Sequence, residues 1–157
     1  MVDISIEVVR EQLLGVLREA FEGPAQWSYF ADPGPEGGLF GTLARLSAIE
    51  ASRPIGKTSI AAHVHHVVFS LESSSAWMHG DRSSRDWSES WRISAVDDAA
   101  WSRLRDQLRA GYENLLQAFE EQAASSVEAL GGTLGAIAHV AYHLGAIRQK
   151  IGFGAQD

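Results

Sequence analysis

From Ala129 to Ile147 the chain carries no Asp, Glu, Lys or Arg, and within that run His139 and His143 stand four residues apart. An uncharged stretch of this length, with Gly132, Gly135, Ala136 and Ala146 among its residues, must be covered by other helices or enter a membrane. The glycines, Thr133 and both histidines dilute the membrane signal, so a helix buried among helices is the expected solution. On such a helix, residues four apart stack on one face with Cβ atoms about 5 to 6 Å from each other. That is the spacing a single metal ion needs. A buried imidazole loses its hydration and requires a partner, so two in one apolar seam ask for an ion, a carboxylate or a tautomer-matched hydrogen bond.

A second cluster, His63-Val-His65-His66, lies on another expected helix, opened by Thr58 or Ser59 and running to about His79. Ile60, Val64, Val67, Val68 and Leu71 give it an apolar stripe, with His65 and Glu72 on the opposite, wetter side. His63 and His66 lie together on the flank away from His65, and either can point inward. His65 reads as a solvated residue or an outer partner. His79 lies about 20 Å along the helix from His66, too far to share an ion, and suits a role at the helix end, bonding the last carbonyls. Three protein ligands with an open position form a familiar arrangement for divalent metals, and helical interiors assemble such sites from facing helices.

The rest of the chain fits the same all-α pattern. Its 157 residues are the size of one domain, residues 1–157 being read as a single unit. A first helix starts at Ser5, with Ile6, Val9, Leu13, Val16, Leu17 and Ala20 at helical spacing, and stops at Gly23-Pro24. The following loop holds Trp27, Tyr29 and Phe30, aromatics that either wall a site or cover the end of the core. Leu39 to Ala51 reads as a short helical segment restarting at Ser47, whose Ser-x-x-Glu spacing to Glu50 fits a capping box, and Pro54 closes it. Gly56-Lys57-Thr58 resembles the end of a phosphate-binding loop, but Ala51 occupies the place of the first glycine and no strand precedes it. Asp97 caps a further helix, in which Trp101, Leu104, Leu108, Tyr112, Leu115 and Phe119 keep helical spacing to about Gln122. Ser125 to Leu130 reads as the link to the histidine helix. Between His79 and Asp97 lies a connection without apolar period, Gly80 to Val96. About 16 residues stretch roughly 50 Å, enough to run back along a whole helix, so the two helices it joins can be parallel, with Trp87 and Trp91 clipping the crossover to the core.

Composition narrows the function. A net charge of −7 and no Lys/Arg cluster argue against nucleic acid as a partner. The chain has no cysteine, which removes disulfides and any thiolate of its own. Met1-Val-Asp-Ile-Ser lacks the pattern of a signal peptide, and a cytoplasmic location is the default expectation.

Thr58-Ser-Ile-Ala-Ala-His-Val-His-His66-Val, Asp86-Trp-Ser-Glu-Ser-Trp91 and above all Ala138-His-Val-Ala-Tyr-His143-Leu-Gly-Ala-Ile-Arg-Gln149 resemble the DinB/YfiT-like metalloprotein superfamily over most of the chain. The resemblance implies a four-helix bundle, up-down-down-up, with a long crossover between parallel helices 2 and 3. It implies a divalent ion, nickel or zinc, held by one histidine on helix 2 and two residues a turn apart on the last helix. Carried over by position, those residues are His66, His139 and His143, with His63 the rival for the first place or a group beside the ion. Some relatives look like transferases or isomerases that use a small thiol such as mycothiol or bacillithiol, and such bundles often pair as homodimers. The resemblance thus points to a small-molecule substrate and, as a second cofactor, a low-molecular-weight thiol, without fixing one reaction.

Three neutral imidazoles leave the charge of the ion uncancelled and coordination positions open, which acidifies whatever binds there. A sulfur nucleophile would have to come from a cofactor. No Glu stands between the histidines as in the His-Glu-x-x-His proteases, so nothing supports peptide hydrolysis. Arg148 reads as a helix-end surface cation rather than an anion clamp. A binding protein without turnover, or a purely structural helical domain whose histidines bond one another, are the alternatives.

Overall fold

Ser5, Ser47, Ser59 and Asp97 each stand before an apolar period, and each accepts a backbone N–H of the first turn that follows. Such caps satisfy donors that no helix can satisfy internally. The computed structural model describes residues 4–123 and 125–154. Among these residues there are six α-helices and no β-strand, with one isolated bridge between Ile55 and Thr58. Four helices are long, α1 (Ile6–Glu22), α4 (Ile60–Met78), α5 (Asp98–Gln122) and α6 (Val127–Gly154), and two are short, α2 (Leu39–Ala44) and α3 (Ala48–Ser52). The all-α expectation holds. The reading of Met1 to Asp3 lies outside the described residues.

The apolar stripes meet in one core. Leu17 and Phe21 of α1, Val64, Val67 and Leu71 of α4, Leu108, Leu115 and Phe119 of α5, and Val140 and Ile147 of α6 are all essentially inaccessible. Burial of each such side chain contributes about 1.5 to 3 kcal/mol before the entropy of ordering is subtracted. α4 packs on both α5 and α6, and α1 touches α5 and α6 in turn. Side chains index these contacts. Arg18 reaches Glu120 and Phe21 meets Tyr112 between α1 and α5. Gly111 of α5 faces Leu71 of α4, where a Cβ would lie 3.3 Å from the leucine. His63 and His66 of α4 meet His143 and His139 of α6, and Trp77 packs against Gly132. α6 is long and apolar enough to cross a membrane by length and composition alone, and its Ala136, Ile137, Val140, Leu144 and Ile147 are buried in this core.

The segment 39–51 divides into α2 and α3 where the sequence placed a restart, because Ser47 builds the full capping box with Glu50 and so starts a helix afresh. Other boundaries differ from those read in the sequence. α6 begins at Val127, inside the expected link, because the Ser126 hydroxyl accepts the Ala129 N–H at 3.0 Å and Glu128 sits in the first turn. Ile6 is 52% exposed, since the first turn of α1 projects beyond the core.

The aromatic loop after α1 behaves differently from both expectations. Trp27, Tyr29 and Phe30 are exposed, and they neither cover the core nor border the histidines. What fixes the loop is its backbone. The buried Glu19 carboxylate accepts the N–H groups of Tyr29, Phe30 and Ala31 at 2.8 to 3.0 Å, together with the Ser28 hydroxyl. Burial alone would raise the pKa of Glu19, but these donors outweigh it and hold the carboxyl below its ordinary 4.5.

The connection from Gly80 to Val96 is strapped to the helices it passes. Ser59, the cap of α4, donates to the Ser94 carbonyl at 2.5 Å, and Ser52 of α3 bonds both backbone groups of Val96. Midway, Trp87–Trp91 form a turn of 3-10 helix that lies on α4.

Candidate metal centre

His66 and His63 are three apart on α4 and His139 and His143 four apart on α6, so each helix presents a pair along the line where the two pack. Their side chains interleave. His66 Nε2 lies 2.9 Å from His139 Nε2, and His143 Nε2 lies 3.2 Å from the same atom. One nitrogen from each of His66, His139 and His143 falls within 4.8 Å of the other two. Two nitrogens bound about 2.1 Å from one ion and 90 to 109° apart are separated by roughly 3.0 to 3.4 Å. The two close pairs have that spacing, so the cluster can hold a metal ion.

The outward nitrogens show how the inward ones are prepared. Ser90, wholly buried in the 3-10 turn, donates its one hydroxyl proton to the Trp87 carbonyl at 2.7 Å and therefore accepts from His66 Nδ1, also at 2.7 Å. An N–H at Nδ1 leaves His66 Nε2 bare. On the other side, His143 Nδ1 meets His63 Nδ1 at 2.9 Å, and His63 Nε2 meets Thr58 Oγ1 at 3.0 Å. In the tautomer that suits a metal ligand, His143 donates to His63 and His63 to Thr58, and His143 Nε2 is bare as well. Two lone pairs then converge on His139 Nε2, and a single proton there can be aligned with only one of them. A cation among the three nitrogens satisfies all of them. His139 Nδ1 has no hydrogen-bond partner and is buried, the one ring nitrogen of the cluster left without an anchor.

Burial also keeps the rings neutral, the form that binds metals. Desolvation, helped by the neighbouring histidines, pushes His143 down to about 3 and His66 to about 4. Desolvation and then the charge of Lys150 push His63 to about 4, and desolvation lowers His139. Among the described residues no carboxylate joins the cluster.

The indoles of the crossover close the site. Trp91 stacks on His66 with ring centres 4.2 Å apart and planes at 19°, and stands edge-on to His63 at 5.3 Å. Trp87 packs on Phe69 at 5.2 Å and lies 6.0 Å from His66. Both perform the clipping role expected of them.

His63, open in the sequence as a rival to His66, stands behind His143 with its Nδ1 turned to that ring and not to the three converging nitrogens. His65 is half-buried rather than solvated, and its Nδ1–H donates to the Ser90 carbonyl at 2.8 Å. His79 caps α4, bonding the Ser75 carbonyl at 2.8 Å. Arg148 pairs with Asp32 of the aromatic loop. Ser90 and Thr58 were not singled out for this role; a serine in a polar connection carries no signal until the fold sets it against a ring. Compared with family models, curated proteins and solved structures, the chain matches none.

Proposed function

We propose that this chain is a metalloprotein that holds one divalent cation, nickel or zinc, through His66, His139 and His143, and that it works as an enzyme on a small molecule. The observation that carries this reading is the convergence of three Nε2 atoms from two helices, that of His66 left bare by the Ser90 hydroxyl behind its ring. When bound, the ion supplies Lewis acidity toward whatever occupies its remaining positions. The chain's own residues do the rest. Ser90 and His63 fix ring orientation, Thr58 fixes His63, and Trp91 keeps bulk water from the face of His66.

In this reading the chain is a four-helix bundle of the DinB/YfiT-like type, ordered up-down-down-up. Support comes from the indexed contacts. Arg18 against Glu120 and Phe21 against Tyr112 set α1 opposite to α5, Leu71 against Gly111 beside Trp77 near Phe119 sets α4 along α5, and Trp77–Gly132 with His63–His143 sets α6 opposite to α4. The connection from Gly80 to Val96 is then the long crossover. The reaction we assign is thiol-dependent group transfer or isomerisation, or hydrolysis, with the sulfur supplied by a small thiol because the chain has no cysteine.

Elemental analysis of protein purified without a nickel column tests the metal. The expected result is about one ion per chain; less than about 0.2 overturns the reading. Alanine at His66, His139 or His143 should each release the ion, while His65→Ala keeps it. A conjugation screen with mycothiol, bacillithiol and glutathione, beside an ester panel, tests the chemistry. Turnover that vanishes in His143→Ala supports an enzyme, and metal binding without turnover on any of them leaves a binding protein.

A further inference from the structure

A groove of about 610 Å³ lies beside the cluster, between the loop that precedes α4, the turn of the crossover and the last turns of α6. Its inner end is made by His63, Trp91 and Tyr142, and these three rings lie 5.1, 6.0 and 5.1 Å from the ring of His143. Its outer end carries Phe153. Tyr142 and Phe153 are 69% and 61% exposed, so neither is there to fill the core. Lys150 sits among them, its ammonium bonded to the carbonyls of Ile55 and Thr58 at 2.5 and 3.0 Å. Those two bonds use two of its three protons and cancel none of its charge. In a chain of net charge −7, no Asp or Glu among the described residues lines this groove. A second cavity, beside Trp77, differs in this respect: Arg85 is paired with Asp81, and Arg82 lies over the indole.

An aromatic wall around an uncompensated cation selects by two features at once, a flat apolar body and a negative charge. We propose that this groove seats the substrate and that the substrate is a small aromatic anion, its ring against Trp91, Tyr142 and Phe153 and its charge toward Lys150. The assignment of the occupant as a substrate rests on the metal reading above; the preference of the groove for such a molecule does not.

Calorimetric titration with 1-naphthoate, 1-naphthylmethylammonium and acetate tests this on metal-loaded and chelator-stripped protein. Acetate has the charge without the ring and reports ligation to the ion alone; the ammonium has the ring with the opposite charge. Naphthoate should bind at least about tenfold more tightly than either, and should keep its advantage over the ammonium after the metal is removed. Tyr142→Ala and Phe153→Ala, both at exposed positions, should each weaken naphthoate about threefold to tenfold without changing metal content. Naphthoate binding no better than acetate, or no better than the ammonium, or undiminished in the Tyr142→Ala/Phe153→Ala double variant, overturns the proposal. A wild-type chain that takes up no metal while still preferring naphthoate overturns the metal reading and leaves the groove assignment standing.

Discussion

Glu19 shows what a single residue does in this fold without leaving a trace in the periodicity. Its neighbours on α1, Leu13, Leu17 and Ala20, are read correctly from spacing as buried, but a glutamate on the flank of a stripe is ordinarily a solvated one. Its partners are backbone N–H groups about ten residues further on, and no residue type announces them. Glu19→Gln removes the charge and should cost about 1 to 3 kcal/mol near neutral pH, as expected for a charged acceptor of several hydrogen bonds. The pH dependence follows from the depressed carboxyl, whose ordinary value is 4.5. Its contribution is fully present above that value and is lost as pH falls through the lower folded-state pKa. Urea melts of the two proteins should therefore differ at pH 7 and converge as the pH falls through the lowered folded-state pKa of Glu19; an unchanging gap contradicts this account of the loop. The histidines were more legible. The His139–His143 spacing and the His63-x-x-His66 pair placed four rings on two helix faces, because helical geometry alone decides which residues share a side. Spacing left the choice between His63 and His66 to the resemblance, since three residues along a helix turn a side chain by less than the width of the seam.

At the level of elements, the crossover between α4 and α5 carries more of the site than its sequence discloses. Its length allowed for a return along a helix, and its tryptophans were foreseen as clips, because indoles in a polar stretch have few other uses. What a polar segment hides is which of its many serines is buried. Ser90 is the wholly buried one, accepting from His66, donating to the Trp87 carbonyl, and carrying a carbonyl that His65 holds. Ser90→Ala should leave helix content unchanged and weaken metal binding about 10- to 100-fold, the usual effect of losing the partner that orients a ligating imidazole. Competition titration against a chromophoric chelator reads this directly, and unchanged affinity means the turn covers the site without orienting it. The same serine-rich pattern straps the ends of the connection. Ser59→Ala removes both the cap of α4 and the bond to Ser94, and should cost about 1 to 2 kcal/mol.

For the whole molecule, an ion held between α4 and α6, as proposed, would make metal binding part of stability. Free metal at 100 times its dissociation constant adds about 2.7 kcal/mol, which for a chain of this size raises the melting temperature by roughly 5 to 10 °C. A chelator should reverse the shift, and the His143→Ala variant should show none. The all-helical class was readable throughout, because every long segment kept one period and the caps marked where most of them start. The true start of α6 was less so, since helix ends depend on single hydrogen bonds that compete with several neighbouring possibilities. The most direct measurement is an anomalous-difference map from crystals of tag-free protein given one equivalent of zinc or nickel. The account predicts one peak about 2.1 Å from the Nε2 atoms of His66, His139 and His143 together; a map with no peak there, or with the ion bound elsewhere, contradicts it.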